Sequence, residues 1–300
     1  MILCAGEALI DMLPRETTRG EDAFAPFAGG AVFNTAVALG RLGAHVGFFS
    51  GLSTDLFGQV LDDALAASNV NTHLAVRSDR PTTLAFVTLT DGHAKYAFYD
   101  ENTAGRMLTP DDLPAIPDTV VAMFFGGISL VGEPCGTAYE ALMLREAQGR
   151  TTMIDPNIRP GFISDAARTR ARIDAMLGAA DIVKVSDEDL DWIGTSVDAL
   201  LEGGTRLVCL TEGAKGVRAF WPGGETFVAA RRVEVVDTVG AGDTFNAGLL
   251  AGLDRDGLLA KGALDELTED RIRPALELGV RAAAVTVSRA GANPPWADEL

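Results

Sequence analysis

Short apolar runs alternate with amphipathic stretches along most of the chain. "AHVGFFSG" precedes "LFGQVLDDALAAS", "TVVAMFFGG" precedes "CGTAYEALMLREAQG", and "TTMIDPN" precedes "AARTRARIDAMLGAA"; "DIVKVS" and "TRLVCLTEG" continue the series. Near-continuous apolar strands between amphipathic helices mark a parallel sheet with both faces covered. The pattern predicts an α/β fold, a three-layer sandwich around a mainly parallel sheet. "MILCAGEALIDML" reads as the first strand, with Asp11 ending it at the carboxyl edge where open α/β sheets hold ligands. No period of 20–50 residues repeats, so a solenoid is not expected. Two stretches break the rhythm. "PTTLAFVTLTDGHAKYAFYDE" reads as two strands joined at Asp91-Gly92, and "DMLPRETTRGEDAFAPFAGG" is irregular and rich in turn residues. They predict a small β excursion from about 11–30 and 80–105; on pattern alone it is either a lid or an ordinary edge hairpin.

Composition narrows the function. The 300 residues, 47% of them apolar, suit a single α/β domain over 1–300 with a sizeable core. A net charge of −17 argues against a nucleic-acid partner, because a phosphate-tracking surface needs excess cations. The only lysines are Lys95, Lys184, Lys215 and Lys261. Phosphate binding would therefore rest largely on backbone amides, arginines and metal ions. Apolar runs such as "VVAMFFGGISLVG" are too short for a membrane span. The N-terminal stretch lacks a basic region and carries Glu7 and Asp11, unlike a signal peptide. Cys4, Cys135 and Cys209 are widely spaced in apolar surroundings, which suits buried thiols in a reducing cytoplasm. His45, His73 and His93 show no ligand spacing.

The richest segment is "DTVGAGDTFNAG", residues 237–248, after the β-branched run "RRVEVV". The run is expected as a strand and "GDTFNAGLLAGLD" as a helix with small residues along one side. Between them, amides without intrahelical partners and the helix dipole make an anion pocket, and glycine lets the backbone close on a phosphate. It is no Walker A loop, since no Gly-Lys pair occurs, and the dinucleotide fingerprint lacks its third glycine, which argues against an oxidoreductase. A carboxylate here, Asp243, repels a phosphate unless it has a task. Spacing leaves two readings open: a base for phosphoryl transfer, or a cap in the first helical turn.

"DTVGAGDTFNAG" resembles the C-terminal signature of the ribokinase/PfkB sugar kinase family, and "GGAVFNTAVALGRLG" with "GLSTDLFG" is similar to its N-terminal one. Both stand in the right order, about 200 residues apart. Within the family, "GEALIDMLP", "DENTAGRML" and "DPNIRPGF" most resemble bacterial fructokinases. The resemblance implies a ribokinase-like sandwich with a β lid, ATP and Mg²⁺ as cofactors, and a small sugar as substrate. It implies Asp243 as base, with Gly240, Ala241 and Gly242 in the anion hole. Asp11, Gly29, Gly30 and Asn34 would bind the sugar, Arg159 substrate or phosphate, and Phe98 and Arg106 belong to the same site. Asp100 disfavours a carboxylate substrate, which points to a neutral ketose, although Arg106 can compensate. "KVSDEDL" departs from the family's Asn-x-x-Glu: Ser186 stands for the Asn, and Asp189 for the Glu that holds Mg²⁺ through water. Thr211, Gly213 and Gly216 of "TEGAKG" would carry the nucleotide phosphates. Asp237, Val239, Thr286, Arg289 and Gly291 would form a monovalent cation site for K⁺. The expected reaction is fructose plus ATP giving fructose 6-phosphate in the cytoplasm. The alternatives are a 2-keto-3-deoxygluconate or ribose kinase, or a catalytically silent sugar-binding regulator. Family lids often pair into dimers, so the resemblance leaves two readings open: a homodimer through the lid, or "PTTLAFVTL" covered by its own chain.

Overall fold

The computed structural model describes residues 1–90 and 93–300; of 88–90 and 93–96 only the backbone is considered. In chain order come β1 (Ile2–Ala5), β2 (Leu9–Glu16), β3 (Asp22–Gly29), α1 (Ala31–Arg41), β4 (Val46–Phe49), β5 (Gly51–Ser53) and α2 (Leu56–Ala67). Next are β6 (Val76–Ser78), β7 (Leu84–Thr90), β8 (His93–Tyr99), β9 (Ala122–Gly126), α3 (Cys135–Glu146), β10 (Thr151–Asp155) and α4 (Ala166–Leu177). The rest are β11 (Ile182–Ser186), α5 (Asp187–Ile193), α6 (Val197–Glu202), β12 (Leu207–Thr211), β13 (Gly216–Trp221), β14 (Gly224–Ala229), α7 (Ala241–Arg255) and α8 (Glu269–Val287).

Eight strands form the central sheet in the order β14-β13-β12-β11-β10-β9-β1-β4. From β12 to β4 every pairing is parallel, and β13 and β14 add an antiparallel edge. Side chains alternate across a strand, so a sheet covered twice feeds two cores. Along β1, Ile2 and Cys4 enter the core shared with Phe33 of α1, Phe245 of α7 and Leu276 of α8. Leu3 and Ala5 enter the opposite core with Leu142 of α3 and Ile173 of α4. This is the three-layer α/β arrangement that the apolar pattern predicts. Small residues bring α7 against α8, where Gly248 faces Gly279 and Gly252 faces Ala275.

A second sheet, β3-β2-β7-β8, projects from the carboxyl side of the first. It holds both stretches that broke the rhythm; the turn expected at Asp91-Gly92 lies outside the described residues. Two expectations are corrected here. "MILCAGEALIDML" is two strands, broken at Gly6–Ala8, and Asp11 belongs to β2 of the second sheet, opposite Phe27. "RRVEVV" forms no strand: residues 231–236 are exposed and irregular, bonded through the Val236 amide to Val287 O at 2.8 Å. β-branched composition is not enough without an adjacent strand edge to supply the ladder.

Candidate active site

A cleft of about 690 Å³ opens where the parallel strands end: Glu7 follows β1, Gly127 follows β9, Asp155 ends β10 and Ser186 ends β11. The second sheet closes one side through Leu9, Asp11 and Phe98, and the start of α7 closes another through Thr238–Asp243.

Gly240 is the N-cap of α7, in a left-handed conformation (φ 77°). A side chain there would also meet Ala292 at 2.8 Å, so both torsion and space call for glycine. The Ala241 amide folds back onto Thr238 O at 3.3 Å. Among the described residues, the Gly240, Gly242 and Asp243 amides find no backbone acceptor and are the open donors of this helix start. Of the residues expected in the anion pocket, Ala241 is the one whose amide is engaged elsewhere. Asp243 lines the same cleft at 9% exposure, and its Oδ2 accepts a hydrogen bond from Asn34 Nδ2 at 2.9 Å. Burial raises its carboxyl to about 7, helped by the negative charges of Asp155 and Glu7 and opposed by the Asn34 hydrogen bond and Lys184. The Thr35 hydroxyl donates to Asp243 O at 3.2 Å, tying α7 to α1. Such a carboxyl can take up or release a proton near neutrality.

The residues expected on the sugar side gather here, with exceptions. Asp11 reaches the cleft from the second sheet, and burial lifts its carboxyl to about 6. Its carboxylate lies over Gly29, leaving no room for a side chain there. Gly30 adopts φ 109° at the N-cap of α1, and a Cβ would sit 3.0 Å from Glu7 O. Asn34, Phe98 and Arg159 line the cleft; Arg159 is exposed and donates Nη1 to Ile158 O at 3.0 Å. Arg106 lines a smaller adjoining pocket instead, paired there with Asp100.

On the nucleotide side, Ser186, Asp189, Thr211 and Gly213 line the cleft. Gly216 does not; it opens β13 against β14. Asp189 is only 3% exposed and acts as a cap. Its Oδ1 accepts from the Ile158 amide, and its Oδ2 from the Ser186 amide and hydroxyl, all at 2.8 Å. These three hydrogen bonds occupy most of the acceptor capacity of this carboxylate. Ser186 is the N-cap of α5 in the same capping box. At the far end, Asp237 accepts from the Val239 amide at 3.0 Å and the Gly291 amide at 2.9 Å. Thr286 is buried in the last turn of α8, bonded to Thr244 at 3.0 Å. Arg289 turns its side chain to Glu299 at 2.5 Å.

Three residues in the cleft were not legible as site residues. Lys184, in β11, holds its ammonium 3.1 Å from Asp155 Oδ2, and a Cβ on Gly242 would lie 3.5 Å from that nitrogen. Its own pKa is raised: the carboxylates of Asp155, Asp189 and Asp243 outweigh the effect of burial. Asn246 Nδ2 donates to the same Asp155 oxygen at 2.7 Å, while Asp155 Oδ1 is buried without a partner. An orphaned carboxylate oxygen beside the glycine turn fits a water-bridged divalent cation. Glu7 accepts from the Ala31 amide at 2.9 Å and the Ser129 amide at 3.2 Å, joining the two turns that floor the cleft. Burial raises its carboxyl.

Comparison with known proteins agrees with this geometry. Residues 1–299 match the model of the pfkB family carbohydrate kinases. A fructokinase of Rhizobium leguminosarum bv. trifolii is 54% identical over 279 residues, which is 91% of this chain and 86% of that protein. The solved structure of Xylella fastidiosa fructokinase with bound ATP superimposes with a TM-score of 0.87 at 30% identity, covering 97% of this chain and 93% of that one. A double mutant of the Vibrio cholerae O395 fructokinase, in a form with fructose, ADP and potassium ion bound, gives 0.82 at 25% identity, over 97% and 93% of the two chains. With matching signatures, fold and cleft in one continuous alignment, the chain belongs to the pfkB family of carbohydrate kinases.

Proposed function

We propose that the protein is an ATP-dependent fructokinase, transferring the γ-phosphoryl group of ATP to the primary hydroxyl of D-fructose to give fructose 6-phosphate. The observation that carries this is the position of Asp243, buried at the glycine turn in a cleft it shares with Asp11 of the lid. In this reading Asp243 takes the proton of the attacking hydroxyl, Asn34 fixes its carboxylate, and the Gly242 and Asp243 amides receive the charge of the transferred group. Lys184 adds a cation beside those amides. Asp11 accepts hydrogen bonds from sugar hydroxyls, and the lid keeps water from competing as nucleophile. Thr211 and Gly213 contact the remaining phosphates.

Asp155 is the residue we assign to magnesium, which supplies charge neutralisation on the phosphates when bound. Activation by a monovalent cation near Asp237, Val239 and Gly291 belongs to the same proposal, as does a cytoplasmic setting, which suits three free buried cysteines. Dimerisation through the lid is supported by an aromatic row across it, Phe24–Phe86–Tyr99 at 5.0 and 5.5 Å, whose end members are 41% and 62% exposed. Sedimentation equilibrium tests it, and a monomer at micromolar concentration would exclude it.

A coupled ADP assay over fructose, ribose, 2-keto-3-deoxygluconate and adenosine tests the substrate. Fructose should give the highest kcat/KM by at least about tenfold, roughly the discrimination of one charge-assisted hydrogen bond. A higher value for another acceptor overturns the choice of fructose. Binding without ADP release would leave a sugar-binding regulator.

A further inference from the structure

Glu7 stands in the break between β1 and β2, where the chain leaves the central sheet for the second one. Its carboxylate is shared between two turns: Oε1 accepts from the Ala31 amide at 2.9 Å, and Oε2 from the Ser129 amide at 3.2 Å. Both turns are shaped around this side chain. A Cβ on Gly30 would sit 3.1 Å from Glu7 Cγ. In the turn Gly127–Leu130, which follows β9, a Cβ on Gly127 (φ 66°) would collide with Glu7 Oε1. Gly30 brings no side-chain cap to α1, so Glu7 supplies from outside the helix an acceptor that its first turn lacks. The other end is anchored as well. Ser129 Oγ donates to Gly126 O at 2.7 Å, and Tyr139 of α3 donates its hydroxyl to Gly6 O at 3.1 Å.

The turn of α1 that Glu7 caps is also the one that grips Asp243. The Asn34 amide closes it on Gly30 O at 2.8 Å, and Asn34 Nδ2 donates to Asp243 Oδ2 at 2.9 Å. One residue on, the Thr35 hydroxyl lies 3.0 Å from Ala31 O and 3.2 Å from Asp243 O. A short chain of hydrogen bonds thus runs from the turn after β9, through Glu7 and α1, to the side chain and the backbone of Asp243. A carboxylate suits the first link because it offers two acceptor oxygens and no donor, so both amides are met. A glutamine there would keep one acceptor and turn an NH₂ group against the other amide.

We propose that Glu7 is a positioning residue for phosphoryl transfer: it pins the first turn of α1 to the turn after β9, and through Asn34 it holds the Asp243 carboxylate at the acceptor hydroxyl. It neither takes the proton nor binds the acceptor, since each of its oxygens is committed to a backbone amide. Its effect falls on kcat, because the mutual placement of base and hydroxyl counts in the transition state and little in sugar binding. The proposal deepens the fructokinase reading and rests on it for the role of Asp243.

The test is a double-mutant cycle of Glu7→Gln and Asn34→Ala, read as kcat at saturating ATP and fructose and as fructose affinity by calorimetry. Alone, Glu7→Gln should lower kcat at least about tenfold, where a misplacement of about 1 Å costs about a hundredfold, and leave the fructose Kd within about threefold. In the Asn34→Ala background it should lower kcat by less than about threefold further, because the link it acts through is already cut. An unchanged kcat, a loss of equal size in both backgrounds, or a loss confined to fructose affinity overturns the proposal; the last would make Glu7 a sugar ligand. If Glu7→Gln does not accumulate as folded protein, Gly127→Ala, which displaces the carboxylate and keeps its charge, carries the same expectations. Failure of the fructokinase reading shows separately, as poor fructose turnover by the wild type; the cycle is then run on whichever acceptor the wild type phosphorylates.

Discussion

Replacing Asp243 by Asn should abolish turnover while making the protein more stable at alkaline pH. The carboxyl is buried and raised from 3.8 to about 7. Its folded value lies above its unfolded one, so the stability it contributes is present below about pH 4 and is lost as pH rises toward and through about 7. At about 1.4 kcal/mol per pKa unit, the charged form costs the folded state about 4 kcal/mol at most. Asn keeps an oxygen for the Asn34 donor and carries no charge, so most of that cost should vanish. Allowing for a new, imperfectly satisfied amide, we expect Asp243→Asn to be about 1–3 kcal/mol more stable near pH 8, and equal to the wild type near pH 4. Urea unfolding followed by circular dichroism at several pH values measures this, alongside a coupled ADP assay. A variant less stable than the wild type at pH 8, or a difference independent of pH, would refute the reasoning that the site holds a buried, destabilised carboxylate.

Other residues give sharper local expectations. Lys184→Met strands the buried Asp155 carboxylate and should cost about 3 kcal/mol of stability by urea melts; adding Asp155→Asn should restore stability but not turnover. Gly30→Ala forces a side chain into φ 109° against Glu7 O, and should lower stability by about 1–2 kcal/mol while raising the fructose KM. Protonating the base Asp243 should lower kcat/KM for fructose as pH drops through about 7, and protonating Asp11 should steepen the fall below about 6 by removing a hydroxyl acceptor. In Asp11→Asn the added steepness should disappear and the Asp243 limb should remain.

The layers of the fold were legible because their signals are local. Apolar strands, amphipathic helices and the glycine start of α7 each lie within a dozen residues, and the strand order carries them to one edge. Asp11 was misplaced because "MILCAGEALIDML" is apolar throughout. Its break at Gly6 appears only once Val32 of α1 packs against that glycine and the chain crosses to the second sheet. The run at 231–236 has strand composition, but whether a strand edge lies beside it is a tertiary matter. Lys184 and Asp155 are 29 residues apart on neighbouring strands, and Glu7 joins turns 24 and 122 residues away. No spacing in the sequence announces such pairs. Asp189 shows the converse limit, since the spacing that made it a metal candidate is also the spacing of a capping box.

The central claim is that Asp243 is the base for transfer from ATP to a sugar alcohol, and a paired measurement reaches it directly. Phosphorus NMR of ATP and fructose with the wild type should show fructose 6-phosphate accumulating. Asp243→Asn should bind fructose by calorimetry within about threefold of the wild type, yet form that product at least about 10³-fold more slowly. Product formation by the variant at near wild-type rate, or phosphate appearing at another position of the sugar, would contradict the account.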